Sequence, residues 1–324
     1  MAKRPFISMS ALAIALLGVA ALRLLVGPEG LDPPRDTLEW SLRIGRVLSG
    51  AAVGGALGAA GVMLQALLRN PLAAPAVLGL TAGAGFGVTL VTFLGFSTAG
   101  AIAGQSATGL GALLGAIAVL VIVYSLAQRR GVIEPVTLIL VGVVVSMICA
   151  AGTVLLQHLM PERGLVATMR WLFGSLRDDA PRLATYSVLA LTSLCVIVGA
   201  KLGPAMDAAS LDDDEARSVG VSLHRLRLVL LSLAGALTAG SVVIAGPIGF
   251  VGLICPHAVR YVVGPSHRTL VAGSTLLGAT VIIGADALIR VIDLGAGRMP
   301  IGVLTALVGG PAFIWLLRSR WVTP

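Results

Sequence analysis

Residues 70–128 read NPLAAPAVLGLTAGAGFGVTLVTFLGFSTAGAIAGQSATGLGALLGAIAVLVIVYSLAQ, and this stretch contains no Asp, Glu, Lys or Arg. Its 59 residues are enough for two membrane-spanning helices of about 20 residues each and a turn between them. Strands of a membrane β-barrel alternate apolar and polar residues over about 10 positions, and this stretch does not alternate. It therefore predicts an all-α polytopic membrane protein.

The composition of the whole chain agrees with this prediction. Of 324 residues, 57% are hydrophobic and 12% are charged, whereas soluble domains carry about a quarter charged residues. The net charge of +8 indicates basic loops at a lipid surface and no nucleic-acid partner. Cys149, Cys195 and Cys255 lie in apolar runs without a paired spacing, so we expect neither a disulfide framework nor a metal site.

Apolar runs and the breakers between them predict about ten spans. Ten is an even number, so both termini lie on one side, and the lysines and arginines place that side in the cytoplasm. Only 13 of the 23 fall there, and the other ten are arginines on the outer side, an excess that needs its own explanation. Met1–Gly27 is expected to be a retained first span, because no clear cleavage site follows it. The predicted spans are 6–26, 45–68, 74–96, 108–127, 135–157, 183–202, 227–246, 248–262, 269–290 and 301–318.

The polar segment 203–226, GPAMDAASLDDDEARSVGVSLHRL, lies between spans six and seven and is unlike the other loops. Acidic residues followed by a basic one complement the dipole of a short helix, and Gly220 would end it. A solvated linker is the alternative interpretation.

Two further features concern organisation. The order of glycines and alanines after Arg46 is echoed after Arg227, which predicts an inverted repeat, about 45–157 and about 227–318, in a single domain 1–324. In GPIGFVGLICPHAVR (246–260), Pro247 is expected to mark the outer turn between spans seven and eight, while Pro256 ends regular helix or acts as a hinge.

The chain has no GxxxxGK[ST], HExxH or GxSxG motif, so we assign no catalytic residue.

The most specific stretch is 41–79, SLRIGRVLSGAAVGGALGAAGVMLQALLRNPLAAPAVLG. It resembles the FecCD-type family of binding-protein-dependent ABC importer permeases for iron chelates, haem and vitamin B12. Gly45 stands where that family usually has a proline, and Ala74 stands where an acid is usual. The resemblance covers nearly the whole chain, with further blocks in the right order at 212–227, 246–260, 267–270 and 299–317.

This resemblance implies a type II ABC importer permease in the bacterial inner membrane. Two permease copies, expected to be a homodimer, would form the translocation path at their interface. Two separate ATP-binding cassette subunits would bind ATP and Mg²⁺, so this chain needs no cofactor, and a periplasmic binding protein would deliver the cargo. An iron complex, haem or a ferric siderophore, is favoured because such permeases are commoner in the family, and cobalamin is the alternative.

The resemblance also implies three groups of site residues. Outer arginines would receive glutamates of the binding protein, with snorkelling to lipid headgroups as the alternative. A coupling segment would fit a cleft of the ATPase, and a third group would lie near the cytoplasmic gate, where packing is an equally good interpretation of Leu72 and Val136. The residues are Arg43, Arg46 and Arg290 for docking, Glu215, Ala216, Arg217, Gly220 and Val221 for coupling, and Asn70, Leu72, Pro135 and Val136 for the gate.

Asp286 lies inside span nine, where an ionised carboxylate must face protein or water. It would be the proton site of a self-sufficient secondary transporter, the alternative function. It would otherwise be a structural partner of an arginine or a backbone group, and the family pattern of Ala285-Asp286 followed by Arg290 favours this structural role. Arg298 departs from the family pattern, which usually has an acid there, and it either adds to a basic rim or repels a neighbour.

Overall fold

The computed structural model describes residues 3–27, 30–99, 105–129, 132–178, 182–211, 213–292 and 298–321, so Asp212 of the acidic run lies outside the described residues. In these ranges the chain is almost entirely helical. The helices are α1 Lys3–Leu25, α2 Thr37–Leu68, α3 Leu80–Ala99, α4 Gln105–Leu126, α5 Pro135–His158, α6 Glu162–Leu172, α7 Arg182–Ala209, α8 Asp213–Ser218, α9 Leu223–Ala245, α10 Val251–Val263, α11 His267–Val291 and α12 Ile301–Trp321. A 3₁₀ turn covers Pro75–Leu78, and two antiparallel hairpins pair β1 Val26–Gly27 with β2 Gly30–Leu31 and β3 Gln128–Arg129 with β4 Val132–Ile133.

The ten predicted spans fall on ten of these helices. Eight of them, α1 to α5, α7, α9 and α11, are long and apolar enough to cross a membrane. Helices α10 and α12 are apolar but shorter over the residues searched, Val251–Val263 and Ile301–Trp315. The fold class, an all-α polytopic membrane protein, is confirmed.

Helix α2 is the centre of the bundle and packs against α1, α7, α9, α10 and α11. Nearly every residue from Gly50 to Leu68 is buried. A Cβ atom on Gly54 would lie 2.1 Å from the carbonyl oxygen of Gly278 in α11, and one on Gly278 would lie 2.1 Å from that of Gly54. Helices α2 and α11 therefore pack backbone to backbone, which small residues permit in a membrane.

The glycine-rich break after α9 serves the same packing. Helix α9 ends at Ala245, and Gly246 adopts φ +68°, in the left-handed region that favours glycine. The chain then enters α10, whose Gly252 lies against α2, because a Cβ on Gly61 would be 1.9 Å from the Gly252 carbonyl oxygen. The predicted turn at Pro247 is confirmed, while Pro256 lies inside regular helix.

Several predicted boundaries were wrong. Helix α2 begins at Thr37 and not at 45, because the Asp36 side chain caps it by accepting a hydrogen bond from the Glu39 amide at 2.7 Å. Helix α7 continues through Pro204 to Ala209, so the first part of the polar segment 203–226 is helix. The buried side chain of Met206 anchors that extension in the core. Helix α6 was not predicted.

The inverted repeat and its limits stay a prediction. The buried apolar residues form one cluster, whose first member along the sequence is Ala52 and whose last is Ile301. Helices of both proposed repeats contribute to it, so the core is not divided between them.

We predict that Gly54→Ala destabilises the protein, because the added methyl group meets a backbone carbonyl that cannot move without separating α2 from α11. The expected loss of unfolding free energy is about 1–3 kcal/mol, measured by thermal unfolding in detergent. Gly45→Ala is the matched control in the same helix, since its Cβ would have no atom within 4 Å. Equal unfolding temperatures for the two variants would contradict the close packing.

Candidate functional site

Charged side chains gather at the two ends of α2. Arg43 and Arg46 lie towards its beginning, and Arg69 is its C-cap. The helix between Arg46 and Arg69 spans roughly 35 Å at about 1.5 Å per residue. The first group is called the arginine cluster and comprises Arg23, Arg46, Asp178, Asp286 and Arg290. The second is called the Asp213 hub and comprises Arg69, Asp213 and Arg227.

Asp286 of α11 forms the centre of the arginine cluster. Arg46 of α2 binds it twice, with Nη2 2.5 Å from Oδ1 and Nε 3.2 Å from Oδ2. The Nε atom of Arg23 in α1 lies 2.5 Å from Oδ2, and the three side chains are at most 6% exposed. The prediction that Asp286 pairs with an arginine is confirmed. A proton-carrying role is disfavoured, because protonation would break both ion pairs.

Asp178, in the loop after α6, covers this centre. Its Oδ1 atom accepts hydrogen bonds from Arg46 Nη1 at 2.7 Å and from Arg290 Nη2 at 3.3 Å. The Asp178 side chain is 49% exposed, whereas that of Arg290 is 10% exposed. Burial raises the pKa of Asp178, but the hydrogen bond and charge of Arg46, with the charges of Arg290 and Arg298, outweigh burial and lower that pKa overall. Asp178 is therefore ionised at neutral pH, and Arg298 adds to the basic rim around it.

Arg43 is occupied within the chain as well. Its Nη1 atom donates to the carbonyl oxygens of Leu24 at 2.9 Å and Asp32 at 2.6 Å, and its Nη2 atom lies 3.4 Å from Glu39. All three arginines predicted for docking thus have partners inside the chain. Arg43 braces the β1–β2 hairpin against α2, while Arg46 and Arg290 share Asp178.

Sequence reasoning missed Arg23 and Asp178. Asp178 lies 132 positions from Arg46, so no local spacing links the two. The excess of outer arginines was the one available signal, because buried arginines require acidic partners.

At the other end of α2, Asp213 begins α8 and binds two arginines through one oxygen. The Nη2 atom of Arg227 lies 2.7 Å from Oδ1, and Arg69 Nη2 binds the same atom. Arg227 Nη1 also donates to the carbonyl oxygen of Ile133 at 3.1 Å, two residues before α5. Partial burial raises the pKa of Asp213, but the charges of Arg227 and Arg69 outweigh it and lower that pKa overall. The hub therefore joins α8, α2, α9 and the start of α5.

The predicted coupling residues divide into anchors and exposed groups. The short helix α8 confirms the predicted helix, and Gly220 beyond it adopts φ +83°. The Val221 amide donates to the Ala216 carbonyl at 3.0 Å, Ala216 is buried, and Val221 packs against the core. Glu215 and Arg217 are exposed and face away from the bundle core.

The predicted gate residues lie at the same end but do not form one cluster. The side chain of Asn70 accepts a hydrogen bond from the Leu72 amide at 2.9 Å, which closes the turn after α2. Leu72 is 46% exposed and Val136 is 64% exposed. Pro135 and Val136 line a cavity of about 610 Å³ together with Asp213. Asn70 lines a different cavity of about 510 Å³.

Within the part of the chain that the structure describes, no group of three or more His, Cys, Asp or Glu side chains could hold a metal ion. The three cysteines are unpaired. The chemistry of both ends of α2 is thus that of ion pairs and hydrogen bonds.

Comparison with known proteins gives the geometry its context. The sequence model of the FecCD transport family matches residues 6–319. The hemin transport system permease protein HmuU of Yersinia pestis is 35% identical over 86% of this chain and 83% of its own length. The vitamin B12 import system permease protein BtuC of Vibrio cholerae is 34% identical over 93% of this chain and 90% of its own length.

The fold is also that of a solved structure, a metal-chelate type ABC transporter in an inward-facing conformation. That chain superposes with a TM-score of 0.84 at 30% identity, over 97% of this chain and 99% of its own length. The architecture therefore matches from end to end.

We predict that Arg46→Ala destabilises the protein by about 3–5 kcal/mol, because it leaves Asp286 buried with one ion pair broken. Thermal unfolding in detergent measures the loss. Arg35→Ala is the matched control: Arg35 pairs with Asp32 at 3.3 Å, but its side chain is 71% exposed, so the cost should stay below about 1 kcal/mol. Equal losses would show that the Arg46–Asp286 contact is not structural.

Proposed function

This chain belongs to the FecCD transport family, as the permease subunit of an ABC importer, and we propose that its cargo is an iron complex, haem or a ferric siderophore. The likeness to the hemin permease of Yersinia pestis and to the metal-chelate transporter supports this cargo class. The vitamin B12 permease of Vibrio cholerae is similar to nearly the same extent, so cobalamin is the second candidate.

The proposed assembly has two copies of this chain, two ATP-binding cassette subunits and a periplasmic binding protein. ATP and Mg²⁺ belong to the cassette subunits, since this chain carries no phosphate-binding loop. We assign the Asp213 hub to the cytoplasmic side of a bacterial inner membrane, with both termini there, and the arginine cluster to the periplasmic side. The family resemblance supports this arrangement.

The Asp213 hub is the observation that carries the proposed mechanism. In α8, exposed Glu215 and Arg217 are available to a cassette subunit, while Ala216 is buried against the bundle. Asp213 at the start of the same helix is bonded to Arg69 at the end of α2 and to Arg227. A cassette subunit that moves α8 would thereby move the end of α2.

The same hub connects α8 to the proposed gate. Arg227 reaches from Asp213 to the Ile133 carbonyl, and Pro135 and Val136 follow directly at the start of α5. A shift of α8 would change the cavity that these two residues line with Asp213. Asn70 and Leu72 are proposed as the α2 side of that gate, which would close by steric block and loss of water.

At the opposite end, the arginine cluster and Arg43 are proposed to receive acidic residues of the binding protein. Guanidinium–carboxylate pairs are directional and bidentate, and a basic face speeds encounter with an acidic partner. The remaining exposed basic side chains of that face, among them Arg298, would extend the contact.

We predict that Asp213→Asn uncouples the importer. The change removes the charge that holds Arg69 and Arg227, so the amount of cargo moved per ATP hydrolysed should fall by about tenfold, the effect of roughly 1.4 kcal/mol. Both rates are measured on the complex in proteoliposomes. Asp214→Asn is the matched control, because Asp214 is the next residue, its side chain is 90% exposed, and it pairs only locally with Arg217 at 3.5 Å.

If Asp213→Asn and Asp214→Asn keep the same ratio of transport to hydrolysis, the hub does not transmit movement. Asp213→Glu should restore part of the ratio, since it returns the charge on a longer side chain.

The function itself is tested by uptake into proteoliposomes that contain the permease, the cassette subunits and the binding protein. We expect uptake of haem or a ferric siderophore that requires ATP and survives collapse of the proton gradient. Uptake of cobalamin alone would replace the proposed cargo. Uptake driven by a proton gradient without ATPase subunits would overturn the proposed function.

A further inference from the structure

Asp178 occupies the position that a docking carboxylate would need. Arg46 and Arg290 are the cluster members nearest the surface, yet their side chains are only 6% and 10% exposed. The exposed member is Asp178, at 49%. An acidic side chain that reaches the cluster would therefore meet the carboxylate of Asp178 before either of these two arginines.

We infer that Asp178 is an internal substitute for the partner's carboxylate, and that docking of the binding protein proceeds by exchange of Asp178 for an acidic side chain of the partner. This inference rests on the proposed function of the arginine cluster. It adds a residue that sets the affinity of that site, and it explains how arginines with internal partners can still dock.

The geometry leaves Arg46 ready for the exchange. Two of its nitrogens, Nε and Nη2, stay bonded to buried Asp286, so the guanidinium keeps its orientation when Nη1 releases Asp178. Orientation in advance lowers the entropic cost of binding. The buried core of the cluster therefore positions the arginine, and the exposed acid covers it.

Arg290 has unused donor capacity. Its contact with Asp178 is long, at 3.3 Å, and its Nε atom is buried without a hydrogen-bond partner among the described residues. A partner's carboxylate between Arg46 and Arg290 could use both of its oxygens, whereas Asp178 contacts both arginines through the single atom Oδ1. The incoming acid can thus make more contacts than the acid it displaces.

The residues before Asp178 in its loop are held by backbone hydrogen bonds. The exchange therefore requires movement of the Asp178 side chain and its immediate backbone only. The Ser175 amide donates to the Ala245 carbonyl at 2.7 Å, and the Gly302 amide donates to the Gly174 carbonyl at 3.0 Å. Leu176 is buried at 4% exposure. Asp178 can leave the arginines while the loop stays attached to the bundle.

The charge balance favours the same interpretation. With Asp178 in place, three arginines face two carboxylates, which leaves one net positive charge for a partner. Removal of Asp178 doubles it. A site that is occupied by an internal ligand binds its partner with a lower apparent affinity. The affinity is reduced in proportion to the fraction of time for which the site is unoccupied.

The test measures binding of the cognate periplasmic binding protein to the permease–cassette complex in nanodiscs. Asp178→Asn keeps the shape of the side chain and a hydrogen-bond acceptor for Arg46, but it removes the charge. We expect the dissociation constant to fall by about three- to tenfold, as for loss of a repulsive contact worth roughly 1 kcal/mol. Asp178→Ser should change it in the same direction, and thermal unfolding confirms that each variant is folded.

Glu162→Gln is the matched control, because Glu162 is an exposed acid in the first turn of α6. It removes the same charge from the same end of the bundle without touching the cluster. An equal gain from Glu162→Gln would overturn the exchange in favour of a general electrostatic field. An unchanged or weaker affinity of Asp178→Asn would also overturn it.

A second measurement tests whether Arg290 takes part in the exchange. In Arg290→Gln protein, Asp178→Asn should give a smaller gain than in the wild type, since only Arg46 Nη1 is then released. An equal gain in that background would overturn the part assigned to Arg290. If the wild-type complex binds no binding protein at all, the proposed function fails and the exchange fails with it. If the wild type binds the binding protein and the Asp178 variants bind it with the same dissociation constant, the exchange is wrong while the proposed function stands.

Discussion

Asp286 is buried between Arg23 and Arg46, where an unpaired charge would cost several kcal/mol. The three residues come from α11, α1 and α2, so the pairing fixes three helices at one depth. The glycine contacts follow the same register. Gly54 lies eight positions after Arg46, and its contact Gly278 lies eight positions before Asp286. A shift of either antiparallel helix would break the ion pairs and the backbone packing together.

Helix α2 connects the two charged ends of the molecule. Its first half holds Arg46 against Asp286 and Asp178, and Arg69 at its C-cap is bonded to Asp213. The stretch from Arg46 to Arg69 is about 35 Å long, so the hub on α8 and the arginine cluster contact one continuous helix. In the proposed assembly, a cassette subunit and the binding protein would each contact residues bonded to one end of α2.

The sequence was sufficient for features that depend on local composition and was insufficient for long-range pairing. Uncharged runs predicted the spans, and an acidic start with Gly220 beyond it predicted α8. The N-terminal extension of α2 was predictable too, because Asp36 and Glu39 have the spacing of a helix cap. The Asp178–Arg46 and Asp213–Arg69 pairs join residues 132 and 144 positions apart. No periodicity encodes such pairs. From the sequence alone, Arg46 is therefore given a partner outside the chain, and Arg69 is used only in the count of cytoplasmic charges.

That assignment changes how the outer arginines should be understood. The sequence predicts ten of them on the outer side, and the structure divides these ten into two sets by exposure. Arg23, Arg43, Arg46 and Arg290 are at most 10% exposed and have partners within the chain. Exposed charges attract a partner over about one Debye length, roughly 8 Å at physiological salt, whereas directional pairing requires a guanidinium fixed in place. In the proposed docking, the exposed set would steer the partner, and Arg46 and Arg290 would make the specific contacts once Asp178 had moved away. The exposed set is Arg35, Arg163, Arg170, Arg177, Arg182 and Arg298.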